Sequence, residues 1–123
     1  MAKSEVRLGD RRCIPCEGGV TPLLPHEAEA LLAELHTEHA SGDGDDWMLV
    51  DEAHLLVKQF MFGNFKQTME FVNKVAAIAE EEGHHPDMVV SYGSVSIELS
   101  THAIGGLSEN DFVLAAKIDK IGK

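Results

Sequence analysis

The amino-acid sequence predicts an α+β domain of two layers, a four-stranded antiparallel sheet with three helices on one face, in the order α-ββ-α-ββ-α. Three observations lead there. Three segments repeat apolar residues at helical spacing behind capping residues, and four short strand-like runs come as two tightly joined pairs. One of the helices falls between the two pairs. Strands joined by short turns pair antiparallel, and such a sheet buries its apolar face under helices. At 123 residues the chain is long enough for one such core and too short for two.

Taken in order, residues 1–20 are polar, contain glycine and lack periodicity, which predicts a loosely held arm ahead of a single domain over 21–123. The first helix opens at Leu23-Leu24-Pro25. Pro25 suits its first turn, Glu27 and Glu29 favour its N-terminus, and Ala28, Leu31, Leu32 and Leu35 form one apolar stripe that ends at Ser41-Gly42. Trp47 to Val50 and Leu55 to Phe62 form the first strand pair, joined by Asp51-Glu52-Ala53-His54. Asn64 is placed to cap a helix from Phe65 to Glu82, and Gly83 is placed to end it in the left-handed conformation. On that helix Phe65, Met69, Val72, Ala76 and Ala79 form one stripe, with Phe71, Val75 and Ile78 beside it. Together they cover about half the circumference, more than one sheet face needs, so part of this helix is expected to meet another subunit.

The second pair is Met88 to Tyr92 and Val95 to Leu99, with Gly93-Ser94 matching a Gly-first two-residue turn. That turn sets Tyr92 opposite Val95, Val90 opposite Ile97, Met88 opposite Leu99 and, by extension past Pro86, His85 opposite His102. Gly105-Gly106 then lead to a last helix from Ser108 to about Ile121, where Ser108-Glu109-Asn110-Asp111 fits a capping box.

Composition narrows the function. The chain is 44% hydrophobic and 25% charged, as in ordinary globular proteins, and its apolar runs are far below bilayer-spanning length. No signal-peptide pattern opens the sequence, so a cytoplasmic location away from membranes is expected. A formal net charge of −11, concentrated in Glu27, Glu29, Glu34, Glu38, Asp43, Asp45 and Asp46, opposes direct binding of nucleic acid. Both cysteines lie in Cys13-Ile14-Pro15-Cys16. That motif fits half a zinc site, a redox pair or two reduced thiols, and Gly18-Gly19 and Pro22 deny it the helix a thioredoxin needs.

The chemistry-bearing residues are three of the seven histidines: His84 and His85 in Gly83-His84-His85-Pro86-Asp87, and His102 after the second hairpin. Imidazole both donates and accepts protons near neutrality, so a cluster points to proton transfer on a small molecule. Three imidazoles and a carboxylate could also ligate zinc, although adjacent histidines on a turn suit one small ion poorly. His26, His36, His39 and His54 have no matched partner and read as surface residues.

The run Glu80, Gly83-His84-His85-Pro86, Tyr92, Thr101-His102, Gly105-Gly106-Leu107-Ser108-Glu109-Asn110-Asp111 resembles the signature of the pterin-4a-carbinolamine dehydratases. Trp47, Phe60-Met61-Phe62 to Phe65 and Phe71-Val72-Asn73 extend the likeness over most of the domain, and the cysteine arm looks like that of bacterial members. The resemblance implies dehydration of 4a-hydroxytetrahydrobiopterin to quinonoid dihydrobiopterin, the step that recycles the cofactor of aromatic amino-acid hydroxylases. It implies no metal and no organic cofactor, a pterin as small-molecule partner, and a homodimer or homotetramer. By matching positions His84, His85 and His102 carry over as catalytic residues, with His84 and His102 the proton-transfer pair and His85 positioning substrate or sharing in the base work. Glu80, Pro86, Ser100, Thr101, Asp111 and Trp47 carry over as the substrate-binding set: Glu80 for the amino-pyrimidine edge or an imidazole, Asp111 to hold a histidine, Trp47 to wall the pocket. Some family members instead bind and stabilise transcription-factor dimers or accompany other pterin-linked pathways, so a non-catalytic role is the alternative.

Overall fold

A computed structural model describes residues 8–11, 13, 21–38 and 46–121. Helix α1 spans Pro25–Glu38, strands β1 and β2 Met48–Val50 and Leu55–Met61, helix α2 Phe65–Glu82, strands β3 and β4 Asp87–Val90 and Ser94–Leu99, and helix α3 Glu109–Ile121. The strands form one antiparallel sheet in the order β1-β2-β4-β3, so the expected two-layer α+β architecture is the one found.

Local chemistry sets the helix ends. The Asn64 side chain accepts from the Gln67 amide at 2.8 Å, and Gly83, at φ 68°, donates its N–H to the Ala79 carbonyl, which bounds α2 where its sequence signals place it. Glu27 reaches back to the Leu24 amide at 2.8 Å and caps α1. The expected end of that helix at Ser41-Gly42 lies outside the described residues.

The core follows strand alternation. Leu56, Lys58 and Phe60 of β2 and Val95, Ile97 and Leu99 of β4 are buried, while the alternate residues on the opposite face are half-buried, as Val57, Ser96 and Glu98 are, or exposed, as Gln59 and Met61 are. Against this face lie Phe71, Val75 and Ala79 of α2 and the long buried run Phe112 to Ala116 of α3. Lys58 is the one charge on the inner strand face of β2. Its ammonium meets Asp119 at 3.0 Å and stands 4.8 Å from the Phe60 ring centroid. On α2, Phe65 remains 49% exposed and Met69, Val72 and Ala76 half-buried, so the wide apolar arc is only partly covered by its own chain.

Two expectations are corrected. The β3–β4 register pairs Val90 with Val95, Met88 with Ile97 and Asp87 with Glu98, two residues away from the Tyr92–Val95 pairing. The Ser91 amide donates to the Ser94 carbonyl at 2.8 Å, so the turn is centred on Tyr92-Gly93, one position earlier than Gly93-Ser94, and contacts from outside the hairpin hold it there: the Phe62 amide donates to the Gly93 carbonyl at 2.8 Å, and the Thr68 hydroxyl lies 2.9 Å from the Tyr92 carbonyl. Any Cβ at Gly93 would come 2.9 Å from the Phe62 carbonyl oxygen, so the approach requires glycine. A two-residue shift leaves each side chain on its expected face.

The other correction concerns residues 8–11 of the expected arm, most of the rest of which lies outside the described residues. Leu8 is fully buried in a 3-10 turn over Leu8–Asp10 that packs on α3, and the Gly9 carbonyl accepts from Lys117 at 3.1 Å and Lys120 at 3.2 Å. Arg11 bridges Glu34 at 2.9 Å and Glu109 at 3.0 Å. This stretch is docked, since its one large apolar side chain has a cavity to fill on the helical layer.

Candidate active site

The site forms at the end of the sheet where β4 leaves and β3 enters. The β3–β4 pairing ends at Asp87 opposite Glu98, and just beyond it His84 and His85 share a cavity lining with Ser100 and Thr101. His102 therefore does not meet His85 through the ladder. It opens a 3-10 turn over His102–Ile104, closed by Gly105 at φ 72°, and the Thr101 amide returns to the Gly106 carbonyl at 2.7 Å. That turn brings the third imidazole back. His84, His85 and His102 line one cavity of about 240 Å³ together with Ser100 and Thr101. Two larger concavities among the described residues, of about 420 Å³ beside the docked arm and about 400 Å³ on the open sheet face, have no histidine in their lining.

Each of the first two histidines is held by a carboxylate. His84 Nε2 lies 2.6 Å from Asp111 Oδ1, with the Asp111 side chain fully buried and that of His84 only 12% exposed. The other Asp111 oxygen accepts from the Thr101 hydroxyl at 2.8 Å and the Ser108 amide at 3.0 Å, while the Ser108 hydroxyl lies 2.8 Å from that of Thr101. Thr101 has one proton and gives it to Asp111, so Ser108 is the donor in its contact with Thr101. A carboxylate oxygen can only accept, so Oδ1 takes the Nε2–H of His84 and leaves Nδ1 with a lone pair. Asp111 thus caps α3 and fixes a tautomer at once. His85 Nε2 meets Glu80 Oε2 at 2.7 Å, but here both side chains are mostly exposed and the pair is a loose one.

The remaining expected residues fall into place unevenly. Glu80 and Asp111 stand behind imidazoles and line neither this cavity nor its neighbour; Pro86 is half-buried at the entry to β3 and also lines neither. Trp47 is 1% exposed in the core. Its indole N–H donates to Asp119 at 3.1 Å and its ring packs edge-on to Phe60 at 6.1 Å, so it stands under the sheet and walls neither cavity. Cys13 donates its amide to Glu82 at 2.9 Å, and Cys16 lies outside the described residues, as does His39. His36 is half-buried, with its ring 3.0 Å from the Trp47 carbonyl. His54, exposed as its sequence reading has it, also edges a second cavity of about 250 Å³ that shares Ser100 and His102 with the first. Only the β2–β4 pairing, which no local pattern encodes, brings it there. Among the described residues, no three His, Cys, Asp or Glu side chains come together as a metal-ligand set.

A sheet end carrying three imidazoles, one locked to a buried carboxylate, is the candidate site of this α+β domain. The chain belongs to the pterin 4 alpha carbinolamine dehydratase family, which its residues 21–121 match. It is 49% identical over 112 residues to a protein of Rickettsia bellii (strain OSU 85-389) provisionally named pterin-4-alpha-carbinolamine dehydratase, with 91% of each chain covered. A protein of Nitrosomonas eutropha with the same provisional name is 50% identical over 114 residues, covering 93% of this chain and 92% of the relative. Among solved structures, a transcriptional coactivator/pterin dehydratase from Brucella melitensis superposes with a TM-score of 0.70 at 29% identity, over 84% of this chain and all of the other. A pterin dehydratase-like protein described as a RuBisCO assembly factor in the alpha-carboxysome superposes with a TM-score of 0.54 at 30% identity, over 61% of this chain and 87% of its own.

Proposed function

We propose that this chain dehydrates 4a-hydroxytetrahydrobiopterin to quinonoid dihydrobiopterin, and so recycles the pterin used by aromatic amino-acid hydroxylases. The observation that carries the proposal is His84, with its Nε2–H committed to buried Asp111, sharing a cavity with His85 and His102. The reaction breaks the C4a–O bond and the N5–H bond and forms the C4a=N5 double bond. The leaving hydroxyl takes a proton and departs as water; N5 gives up its own. One acid and one base must therefore reach the two sides of a single C–N unit. His84, with a bare Nδ1, is the base that accepts the N5 proton, and His102 in protonated form is the acid that supplies the hydroxyl. His85, steered by Glu80, positions the ring, and Ser100 and Thr101 edge the same cavity.

The test is turnover of freshly generated carbinolamine, followed as quinonoid product against the spontaneous reaction. Wild type accelerates the step, and His102→Ala lowers the turnover number by about 10²-fold or more on both 4a-epimers. An unchanged turnover number in that variant sinks the assignment of His102. The alternative is a binding or assembly role, for which the structural neighbour described as an assembly factor is the precedent. A wild-type chain no faster than the uncatalysed reaction favours that reading. The half-covered apolar arc of α2 supports a homodimer or homotetramer joined through this helix, and light scattering on the purified chain reads the copy number.

A further inference from the structure

Thr101, expected from sequence to bind substrate, carries a hydroxyl that its own turn does not use. The residue sits at the N-cap of the 3-10 turn His102–Ile104 with extended backbone, φ −108° and ψ 99°. In that place a threonine hydroxyl ordinarily accepts from an amide of the turn that follows, and here it makes no such bond. The hydroxyl is committed elsewhere. Its proton goes to Asp111 Oδ2 at 2.8 Å, and one of its lone pairs takes the Ser108 hydroxyl at 2.8 Å. Although Thr101 edges the imidazole cavity, it is only 4% exposed, so the hydroxyl has no proton and little surface to offer a substrate.

What the hydroxyl holds is a direction. The carboxylate torsion of an aspartate is broad and sets no preferred angle of its own, so neighbouring donors must fix it. Asp111 is pinned twice on Oδ2, by Thr101 and by the Ser108 amide at 3.0 Å, and this leaves Oδ1 aimed at His84 Nε2, 2.6 Å away. The backbone of the same threonine serves the other histidine. Its carbonyl accepts from the amides of Ile104 and Gly105, both at 3.1 Å, and its amide donates to the Gly106 carbonyl at 2.7 Å, which closes the turn that carries His102. One buried residue supports both imidazoles.

We infer that Thr101 is a positioning residue for the proton-transfer pair and not a substrate ligand: its hydroxyl clamps the Asp111 carboxylate so that His84 presents a fixed face, while its backbone holds the turn that presents His102. This rests on the dehydratase reading. A group that binds substrate equally before and during reaction shows in KM, whereas one that aims a base shows in kcat.

The experiment measures kcat and KM on freshly generated carbinolamine for wild type, Thr101→Val and Thr101→Ser, with the proton NMR spectrum of each as a readout independent of activity. Valine keeps the shape and loses the hydroxyl; serine keeps the hydroxyl. Thr101→Val lowers kcat about tenfold, as expected for one hydrogen bond to a charged group, and leaves KM within about twofold. It also broadens the downfield resonance of the His84 Nε2–H, which is assigned by its absence in His84→Gln. Thr101→Ser keeps the resonance sharp and holds kcat within about threefold of wild type. Thermal melting reads the fold separately, and Thr101→Cys, whose thiol is a weak donor, gives an intermediate loss and stands in for the valine if that variant does not fold. A raised KM at unchanged kcat, a loss that serine shares with valine, or a sharp resonance in the valine variant overturns the inference and leaves the dehydratase reading in place. A wild type without turnover overturns that reading and this inference with it.

Discussion

Replacing Asp111 with asparagine exchanges one carboxylate oxygen for an amide nitrogen, and the geometry fixes which. Oδ2 accepts from both Thr101, at 2.8 Å, and the Ser108 amide, at 3.0 Å, while Oδ1 faces only His84, at 2.6 Å. The amide carbonyl therefore takes the Oδ2 place, and the NH2 group turns to His84 and donates. His84 must then accept at Nε2 and carry its proton on Nδ1, so the nitrogen left for the substrate is no longer a base. A general base is worth about 10²–10⁴ in rate, and Asp111→Asn should lose that much turnover. The structural cost is smaller. Hydrogen bonds to a charged acceptor in a fully buried site become neutral ones, a loss of about 1–2 kcal/mol, which thermal melting reads as a drop of several degrees in Tm with the circular dichroism spectrum retained. Stopped-flow formation of quinonoid product gives the rate. Turnover within twofold of wild type would refute the tautomer argument.

Asp119→Ala strands the Lys58 ammonium, whose side chain is 7% exposed, and removes the acceptor of the Trp47 indole; urea denaturation should show a loss of about 3–5 kcal/mol. Joint replacement by Lys58→Met and Asp119→Leu should cost less than Asp119→Ala alone, because no unpaired charge is left inside. On the surface of α2, the hydrogen bond and charge of Lys66 hold the Glu70 carboxyl below the ordinary carboxylate range, and Glu70 raises Lys66 in turn. The pair's small contribution is present above the ordinary carboxylate pKa and is lost as pH falls through the lowered Glu70 value; at the alkaline end it fades as pH rises through the raised Lys66 value. NMR titration should find Glu70 returning toward the ordinary carboxylate range in Lys66→Met, and an unmoved Glu70 would assign the shift elsewhere.

What could be read in advance was what neighbours in sequence decide. Asn64 and Gly83 bound α2 by bonds to residues three and four positions away, and the apolar runs between short turns marked where β2 and β4 lie. The β3–β4 register was not legible, since Phe62 and Thr68 hold the turn from other elements. That His54 edges the second cavity was not legible either, because its place depends on β2 pairing with a strand some forty residues on. Trp47 matches its family position in sequence, but nothing local announces that Asp119 takes its indole N–H. The imidazole cluster lies between the two cases. His84 and His85 are adjacent by sequence, whereas His102 joins them through a turn instead of the predicted ladder.

The seated N-terminal stretch has a practical meaning for anyone who handles this molecule. The family match begins at residue 21, yet Leu8 fills the helical layer and Arg11 ties α1 to α3 across it. A recombinant boundary drawn at residue 21 would uncork a hydrophobic socket on α3 and leave Lys117 and Lys120 without the Gly9 carbonyl. The unit defined by ancestry is therefore smaller than the unit that keeps itself dry.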